Sequence, residues 1–501
     1  MKIIGARAVL LAIGLIPATL GIVPSAQAAF IHPGALSKQS DLDRMKAKVA
    51  ANQQPWLGGW NNLVASTFSQ SSRVPNPVVS PVRGGCHVDI CPQSYTSTMQ
   101  DAAAAYQNAL RWHISGITAH ANCAVNILNA WANTMTSINT CCSDHVLLAG
   151  ITGYQFACAG ELMRNYSGWS ASDFTKFKNW MKTVWYPVQD NFLRNHLDPT
   201  LACPEHFWCN WDAGIMAGMI SIGVLCDDQA IFNQAVNYYK TGAGNGALNN
   251  AIFVRHGAGL GQWQESGRDQ GHNQLGLGLI SVFLEVAWNQ GVDLYGYVGA
   301  DGRVYSDGSE YVMKYNLGDT VPYSTYNWCN GDAIQTVISP RVGIASLPEL
   351  VYNAYRRKGI TLPYTSQAAA SVRPDWGAGH LSTGASWAFD MMGFTTLTHT
   401  IDTTASGTVG TAFSYTIKPY AFNLIRSNHT VVISFSLFHS DQVTVRIYNL
   451  SGRETATLVN KNLASGSHSV NWDTKNIAAG CYTVRMQAGT NTYVRSIPIM
   501  R

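Results

Sequence analysis

The sequence predicts a mainly α chain in which an (α/α) toroid is followed by a small all-β sandwich. From Thr98 to about Tyr239 one helical pattern follows another without sustained period-two alternation, and from Asn273 a long segment is apolar on every side. Near Ile401 the composition turns to short runs of Val, Thr and Ser alternating with polar residues, the pattern of strands. At 501 residues the chain is long enough for more than one core. Only 12% of residues are charged and 15 are Trp, which excludes a disordered chain and argues against nucleic acid as a partner. A formal charge of +4 neither identifies an acidic partner nor opposes one.

In chain order, Lys2 and Arg7 precede an apolar run over residues 8–20 and the small-x-small triplet Ala26-Gln27-Ala28. Residues 1–29 therefore read as a secretory signal peptide, and the protein is expected to be extracellular. Pro17 interrupts a run already short of the ~20 residues that span a bilayer, which disfavours an uncleaved anchor. No later stretch is expected to cross a membrane.

Ser40-Asp41-Leu42-Asp43 opens a capped helix through Met45 and Val49, and Pro75, Pro77 and Pro81 mark an extended stretch. Helices are expected over residues 99–115, 119–135, 144–165, 172–195, 211–225 and 229–241, most opening near Ser, Asp or Asn and closing near Gly or Asn. Repeated helix pairs with inward Trp112, Trp131, Trp180 and Trp185 suggest hairpins arranged in a ring. A ring leaves a cleft lined by loops at one end, a groove suited to a linear polymer. Residues 242–246, rich in glycine, lack the Lys-Ser/Thr of a phosphate loop and follow no strand, so they read as a turn. A further helix is expected around residues 310–315, then irregular structure to about Thr400.

Strands are expected over residues 431–435, 443–448, 468–472, 482–486 and 493–497, separated by turns such as Ser451-Gly452 and Ala479-Gly480. The toroid is assigned to residues 30–400, a linker and the start of the β-domain to 401–430, and the sandwich to 431–501. Of 11 cysteines at least one is unpaired, and Cys481, alone in the β-region, is the candidate. Cys86 with Cys91 and Cys203 with Cys209 are close enough in sequence to close local loops, whereas adjacent Cys141 and Cys142 look to different partners. The cysteines and histidines show no zinc spacing, and neither metal nor other cofactor is expected.

The chemistry concentrates in residues 261–295. Glu265, Arg268, Asp269 and His272 crowd the mouth of the apolar segment, with Arg268 and His272 at i, i+4 on one helix face. Charges entering a buried helix need partners, because an unpaired one costs several kcal/mol. A structural network pairing Arg268 with Glu265 or Asp269 and a catalytic site are both consistent with this spacing.

The blocks HANCAVNILNAWA, FKNWMKTVWYP, CNWDAGIMAGMISIGVLCDD, QESGRDQGHNQLGLG, WNQGVDLYG and EYVMKYNLGDTVPY, together spanning most of the helical region, resemble the alginate-lyase superfamily of polysaccharide lyases. Within it the chain is most similar to the branch acting on glucuronan- or mannuronate-type polyuronates. The tail, VRIYNLSGRETATLVNKNLASGSHSVNWD with AAGCYTVRM, is similar to the immunoglobulin-like C-terminal domains of secreted bacterial enzymes, some of which are export signals. Cys481 stands where such tails usually carry an aliphatic residue.

The resemblance implies an (α/α) toroid and β-elimination on an acidic polysaccharide, with a monomer expected. That reaction needs the uronate carboxylate neutralised, a base for the C5 proton and an acid for the leaving oxygen. By resemblance Asn210 binds the carboxylate, and Arg268 and His272 complete the charge-stabilising set. Related lyases carry a tyrosine one or two turns after the arginine, where this chain has Leu275. Tyr311 is therefore the expected acid and base, with Tyr315 as the neighbouring choice; Trp211, Glu265, Gln270 and Tyr315 are expected around the substrate. A single tyrosine serving both roles favours glucuronan or mannuronate, whose C5 proton and C4 oxygen share one face of the ring. Two other classes fit the sequence: a toroidal glycoside hydrolase pairing Asp212 with Glu265 or Asp269, and a glycan-binding protein without catalysis. Asn210 as a helix cap and Trp211 as packing are the structural readings of those residues.

Overall fold

The structure, a computed structural model, describes residues 29–84, 90–196, 207–257, 259–328, 333–380, 389–402, 423–427, 429–437, 441–464, 466–488 and 491–499. The signal-peptide segment, Cys86, Cys203 and most of the expected linker lie outside them.

Helix follows helix from α1 (Gln39–Ala50) and α2 (Trp56–Ala65) through α3 (Thr96–Ser115), α4 (Thr118–Thr134) and α5 (His145–Met163). α6 (Ala171–Trp180) passes through a π-helical stretch (Met181–Trp185) into α7 (Tyr186–Asn195), and α8 (Cys209–Leu225) and α9 (Gln229–Thr241) follow. α8 is the centre of this body. Its side chains are apolar all round, so no face can be left to water; every residue is buried, and it packs on α5, α7, α9 and α10 (Gln270–Asn289). Against it the π-helical stretch of α5 (Leu148–Thr152) brings Gly150 so close that a Cβ there would lie 2.6 Å from the Gly214 carbonyl carbon.

α5 corrects one expectation: by length and composition it is long and apolar enough to cross a membrane, but it lies wholly buried as a core helix. α10 begins ahead of the expected Asn273, because Asp269 caps it by accepting the His272 N–H. α11 (Tyr305–Asn316) is the expected further helix. The stretch read as irregular contains α12 (Pro348–Arg357) and α13 (Pro363–Val372), each opening on a proline that fits a first helical turn. Two small antiparallel hairpins, β1 (Ile252–Arg255) with β2 (Gly261–Trp263) and β3 (Tyr326–Trp328) with β4 (Ala333–Gln335), were not anticipated.

The C-terminal region is all antiparallel. β5 (Asn423–Ser427), β6 (Thr430–Leu437) and β9 (Gly466–Asp473) form one sheet in the order β5-β6-β9. β7 (Asp441–Tyr448), β8 (Glu454–Leu463), β10 (Gly480–Ala488) and β11 (Asn491–Ile499) form the other, in the order β11-β10-β7-β8. Alternate residues such as Val431 and Ile433, Val443 and Val445, and Val484 and Met486 share one core, as period-two patterning requires. That core is separate from the helical one, which runs from Ala35 to Leu397.

The local cysteine loops are corrected. Cys91 is bridged to Cys141 and Cys142 is bridged as well, whereas Cys209 is a free thiol buried at the start of α8. Cys481 is free, as are Cys123, Cys158 and Cys226.

Candidate active site

The N-terminus of α8 positions the site. The first N–H groups of a helix have no partners within it and carry partial positive charge. Here they are met from outside: Cys209 N–H donates to Gln264 Oε1 (3.0 Å) and Asn210 N–H to Glu265 Oε1 (2.8 Å). The Asn210 amide nitrogen also donates to both Glu265 oxygens, at 3.0 and 2.8 Å. Arg268 Nη1 completes the shell of this fully buried carboxylate at 2.8 Å. Burial pushes the Glu265 carboxyl above the ordinary range, against the opposing pull of Arg268, His272 and the Asn210 bonds.

Arg268 is held on three sides. Nη1 is on Glu265, its guanidinium carbon stands 4.9 Å over the Trp208 ring, and Nη2 faces His272 Nε2 at 3.3 Å. His272 Nδ1 donates to Asp269 Oδ2 at 2.6 Å. That bond sets the tautomer, leaving the lone pair on Nε2, toward Arg268. Burial raises the Asp269 carboxyl, but the side-chain and backbone hydrogen bonds from His272, with the charge of Arg268, outweigh it and hold the group below its ordinary value.

Of the expected site residues, Asn210, Glu265, Arg268 and His272 come together; the others do not join them by any hydrogen bond. Asn210 lies inside α8 rather than capping it, and its amide hydrogens are spent on Glu265. Its Oδ1 is buried and unbonded, so the edge left over is an acceptor, not the donor a carboxylate needs. The Tyr311 ring is fully buried and its hydroxyl donates to the Pro322 carbonyl at 2.8 Å. Burial, then the neighbouring Tyr323 and Tyr315, push its pKa up, which makes it a poor base. Tyr315 donates to the Ser339 carbonyl at 2.9 Å. Gln270, also fully buried, ties Ser266 to Ser339 and accepts from Asn273 and Asn316, a structural knot with no edge for substrate. Trp211 packs in the core on Phe207 and Phe192.

Trp208 and Tyr323 escaped the sequence reading. Tyr323 is half-buried, its hydroxyl donates to the Gln335 carbonyl at 2.8 Å, and burial pushes its pKa up to about 12. That hydroxyl lies so close to Gly267, next to Arg268, that a Cβ on Gly267 would collide with it. The glycine inside Glu-Ser-Gly-Arg was the available signal, since a residue without a side chain permits such an approach. Asp212, half of the expected hydrolase pair, is fully buried and accepts from Tyr238 (2.5 Å) and His196 (3.1 Å). With Glu265 enclosed as well, neither carboxylate is free to act on a glycosidic bond.

Residues 92–321 match the family model for alginate lyase, and residues 427–500 match that for the secretion system C-terminal sorting domain. No curated protein sequence matches the chain. Among solved structures, alginate lyase A1-III from Sphingomonas species A1 superposes with a TM-score of 0.50 at 14% identity, covering 76% of this chain and 99% of that one. The apo form of a variant of alginate lyase A1-III gives 0.50 at 15% identity, over 75% and 99%. At such identities the likeness concerns the fold, and it agrees with the toroid expected from the helix pattern. The helical region thus carries the alginate-lyase domain and the β-region the sorting domain, and the chain is a secreted polysaccharide lyase.

Proposed function

We propose that the chain cleaves an acidic polyuronate by β-elimination, with Arg268 taking the uronate carboxylate and His272 the C5 proton. The observation that carries this is the string Asp269–His272–Arg268, in which a carboxylate backs an imidazole whose Nε2 lone pair meets a guanidinium. Nη1 is anchored on Glu265, whereas Nη2 leans on His272 at 3.3 Å, longer than a strong charge-assisted bond. An arriving carboxylate recruits Nη2, and Nε2 then faces the sugar as a base supported by Asp269. The C5 proton passes to His272, the electron pair forms the C4–C5 double bond, and the C4–oxygen bond breaks. The Tyr323 hydroxyl turns from the Gln335 carbonyl to the leaving oxygen and gives it its proton, and His272 then releases the C5 proton to solvent, from which the Tyr323 phenolate takes one back. Asn210 and Glu265 act as positioning residues for Arg268.

His272 and Tyr323 both lean on the 267–272 turn, which supports attack from one side of the ring. The preferred substrates are therefore glucuronan and mannuronate-rich alginate. Absorbance of unsaturated ends over polymannuronate, polyguluronate, glucuronan and pectate tests this. Faster cleavage of polyguluronate would overturn the one-sided arrangement; new reducing ends without ultraviolet absorbance would restore the hydrolase, and binding without new ends the glycan-binding protein.

A further inference from the structure

Tyr323 lies on a segment outside helix and strand. Among the described residues no backbone-to-backbone hydrogen bond involves residues 321–325, and Pro322 and Thr325 are exposed. The segment is fixed instead by buried side chains on either side of Tyr323. On one side the Tyr311 hydroxyl donates to the Pro322 carbonyl. On the other, Gln262, a fully buried residue of β2, takes both polar backbone groups of Ser324: its Oε1 accepts the Ser324 N–H at 2.7 Å, and its Nε2 donates to the Ser324 carbonyl at 2.8 Å. A side-chain amide thus replaces the pair of bonds that a neighbouring strand would exchange with this residue.

The clamp is itself held. Because its oxygen must face the Ser324 N–H, the Gln262 amide has one orientation, so His256 Nε2, 2.9 Å from that same oxygen, carries the hydrogen and donates. The His256 ring stacks on that of Tyr311, with centroids 5.9 Å apart and planes at 17°, a contact that Tyr311→Phe would keep. The backbone N–H of His256 donates to the Leu260 carbonyl at 2.9 Å, closing the β1–β2 hairpin behind the clamp. This rigidity bears on proton transfer. The Tyr323 hydroxyl is bonded to the Gln335 carbonyl, and it gives up that bond when its proton goes to the leaving oxygen. At that moment the place of the oxygen depends on the backbone of residues 322–324, and a misplacement of about 1 Å can cost on the order of 100-fold in rate.

Resting on the reading of Tyr323 as the acid, we infer that Gln262 is a positioning residue for this proton transfer, acting through the Ser324 backbone. Kinetics of Gln262→Leu, Tyr323→Phe and the double variant test it on two substrates, a polyuronate oligosaccharide and a uronate carrying nitrophenolate at C4, a leaving group that needs no proton. On the oligosaccharide Gln262→Leu should lower kcat ~10-fold or more with KM within ~3-fold. In the Tyr323→Phe background the same change should cost no more than ~2-fold, because the group it places is already gone. On the nitrophenolate substrate both single variants should stay within ~3-fold of the unmodified enzyme, a recovery that a merely destabilised protein would not show. Gln262→Glu, which keeps the acceptor for the Ser324 N–H and loses the donor, carries the same test if Gln262→Leu does not fold. Losses that multiply in the double variant, or a Gln262→Leu defect undiminished on nitrophenolate, would overturn the positioning role. Native kcat in Tyr323→Phe on the oligosaccharide would instead remove the acid assignment on which it rests.

Discussion

Glu265 shows how one buried side chain holds several neighbours in place. Its carboxylate receives the Asn210 backbone and side-chain N–H groups and one arm of Arg268, so it joins a helix end to the guanidinium. Arg268→Ala and His272→Ala should each lower turnover at least ~100-fold, the usual size for losing a positioned charge-stabilising group; Arg268→Ala should also lower the melting temperature, because it removes the guanidinium from the buried Glu265 carboxylate. Near-native rates in both would return the cluster to a structural network. Tyr323→Phe should depress kcat with little change in KM, whereas Tyr311→Phe should leave kcat within a few-fold; the opposite pattern would restore Tyr311 as the acid. A second residue-scale prediction concerns His32, whose ring bridges Glu161 (2.5 Å) and Asp227 (2.8 Å) and clasps the N-terminal segment to the helical body. Burial pulls its pKa down and Arg164 opposes it too, but Glu161 and Asp227 prevail and the folded value lies above 6.5. The clasp's stabilisation is therefore full below the unfolded value and is lost as pH rises through the folded one. Melting temperatures across about pH 5 to 9 should show the margin of the unmodified protein over His32→Gln shrinking as pH rises; a constant margin would mean that His32 does not titrate in the clasp.

At the scale of elements, α8 was legible in outline because a helix apolar on all sides has only one stable location, the core. Its partners were not. Gly150 lies in the π-helical stretch of α5, where a Cβ would meet the backbone of Gly214 and Ile215. In an ordinary helix Gly→Ala stabilises by up to about 1 kcal/mol. Here Gly150→Ala should destabilise by about 1–3 kcal/mol, since two backbones must separate. Denaturant unfolding decides between the signs, and a gain in stability would mean that the two helices yield freely. The hairpins and the capping of α8 by Gln264 and Glu265 escaped the sequence for a related reason. Strands of three or four residues carry too little periodicity to register, and a cap supplied from another segment leaves no local motif.

For the whole molecule, the separate helical and β cores predict that the lyase region stands alone. The cut has to respect residues 400–402: Thr400 O accepts from Trp56, Arg356 donates to the Ile401 and Asp402 carbonyls, and Lys48 pairs with Asp402. A chain ending at Asp402 should remain soluble and keep its turnover on short oligosaccharides, whereas ending before the Thr395–His399 turn should lower the melting temperature by removing the Thr395 and Thr396 bonds to buried Asp375. Loss of turnover in the longer truncation would make the β-region part of the catalytic body. Among the described residues no group of three or more His, Cys, Asp or Glu side chains is placed to hold a metal ion. Activity should accordingly survive EDTA, and inactivation reversed by calcium would transfer carboxylate neutralisation from Arg268 to an ion.

By itself the sequence determined the class of each half, since helical and period-two burial are written in the spacing of apolar residues along a chain. It also grouped Glu265, Arg268, Asp269 and His272, because they are neighbours in sequence and the turn ahead of α10, with the first residues of that helix, brings them into one hydrogen-bonded cluster. Tertiary structure alone decided what each of them touches. Which face of Asn210 remains available, whether a tyrosine hydroxyl is spent on a carbonyl, and that Gln262 clasps Ser324, 62 residues away, depend on contacts between distant segments. The cysteines divide in the same way: their number foretold a free thiol, but only folding could bring Cys91 to Cys141 and leave Cys209 a buried free thiol, because a bridge requires proximity of Cα atoms in space, which spacing along the chain does not provide.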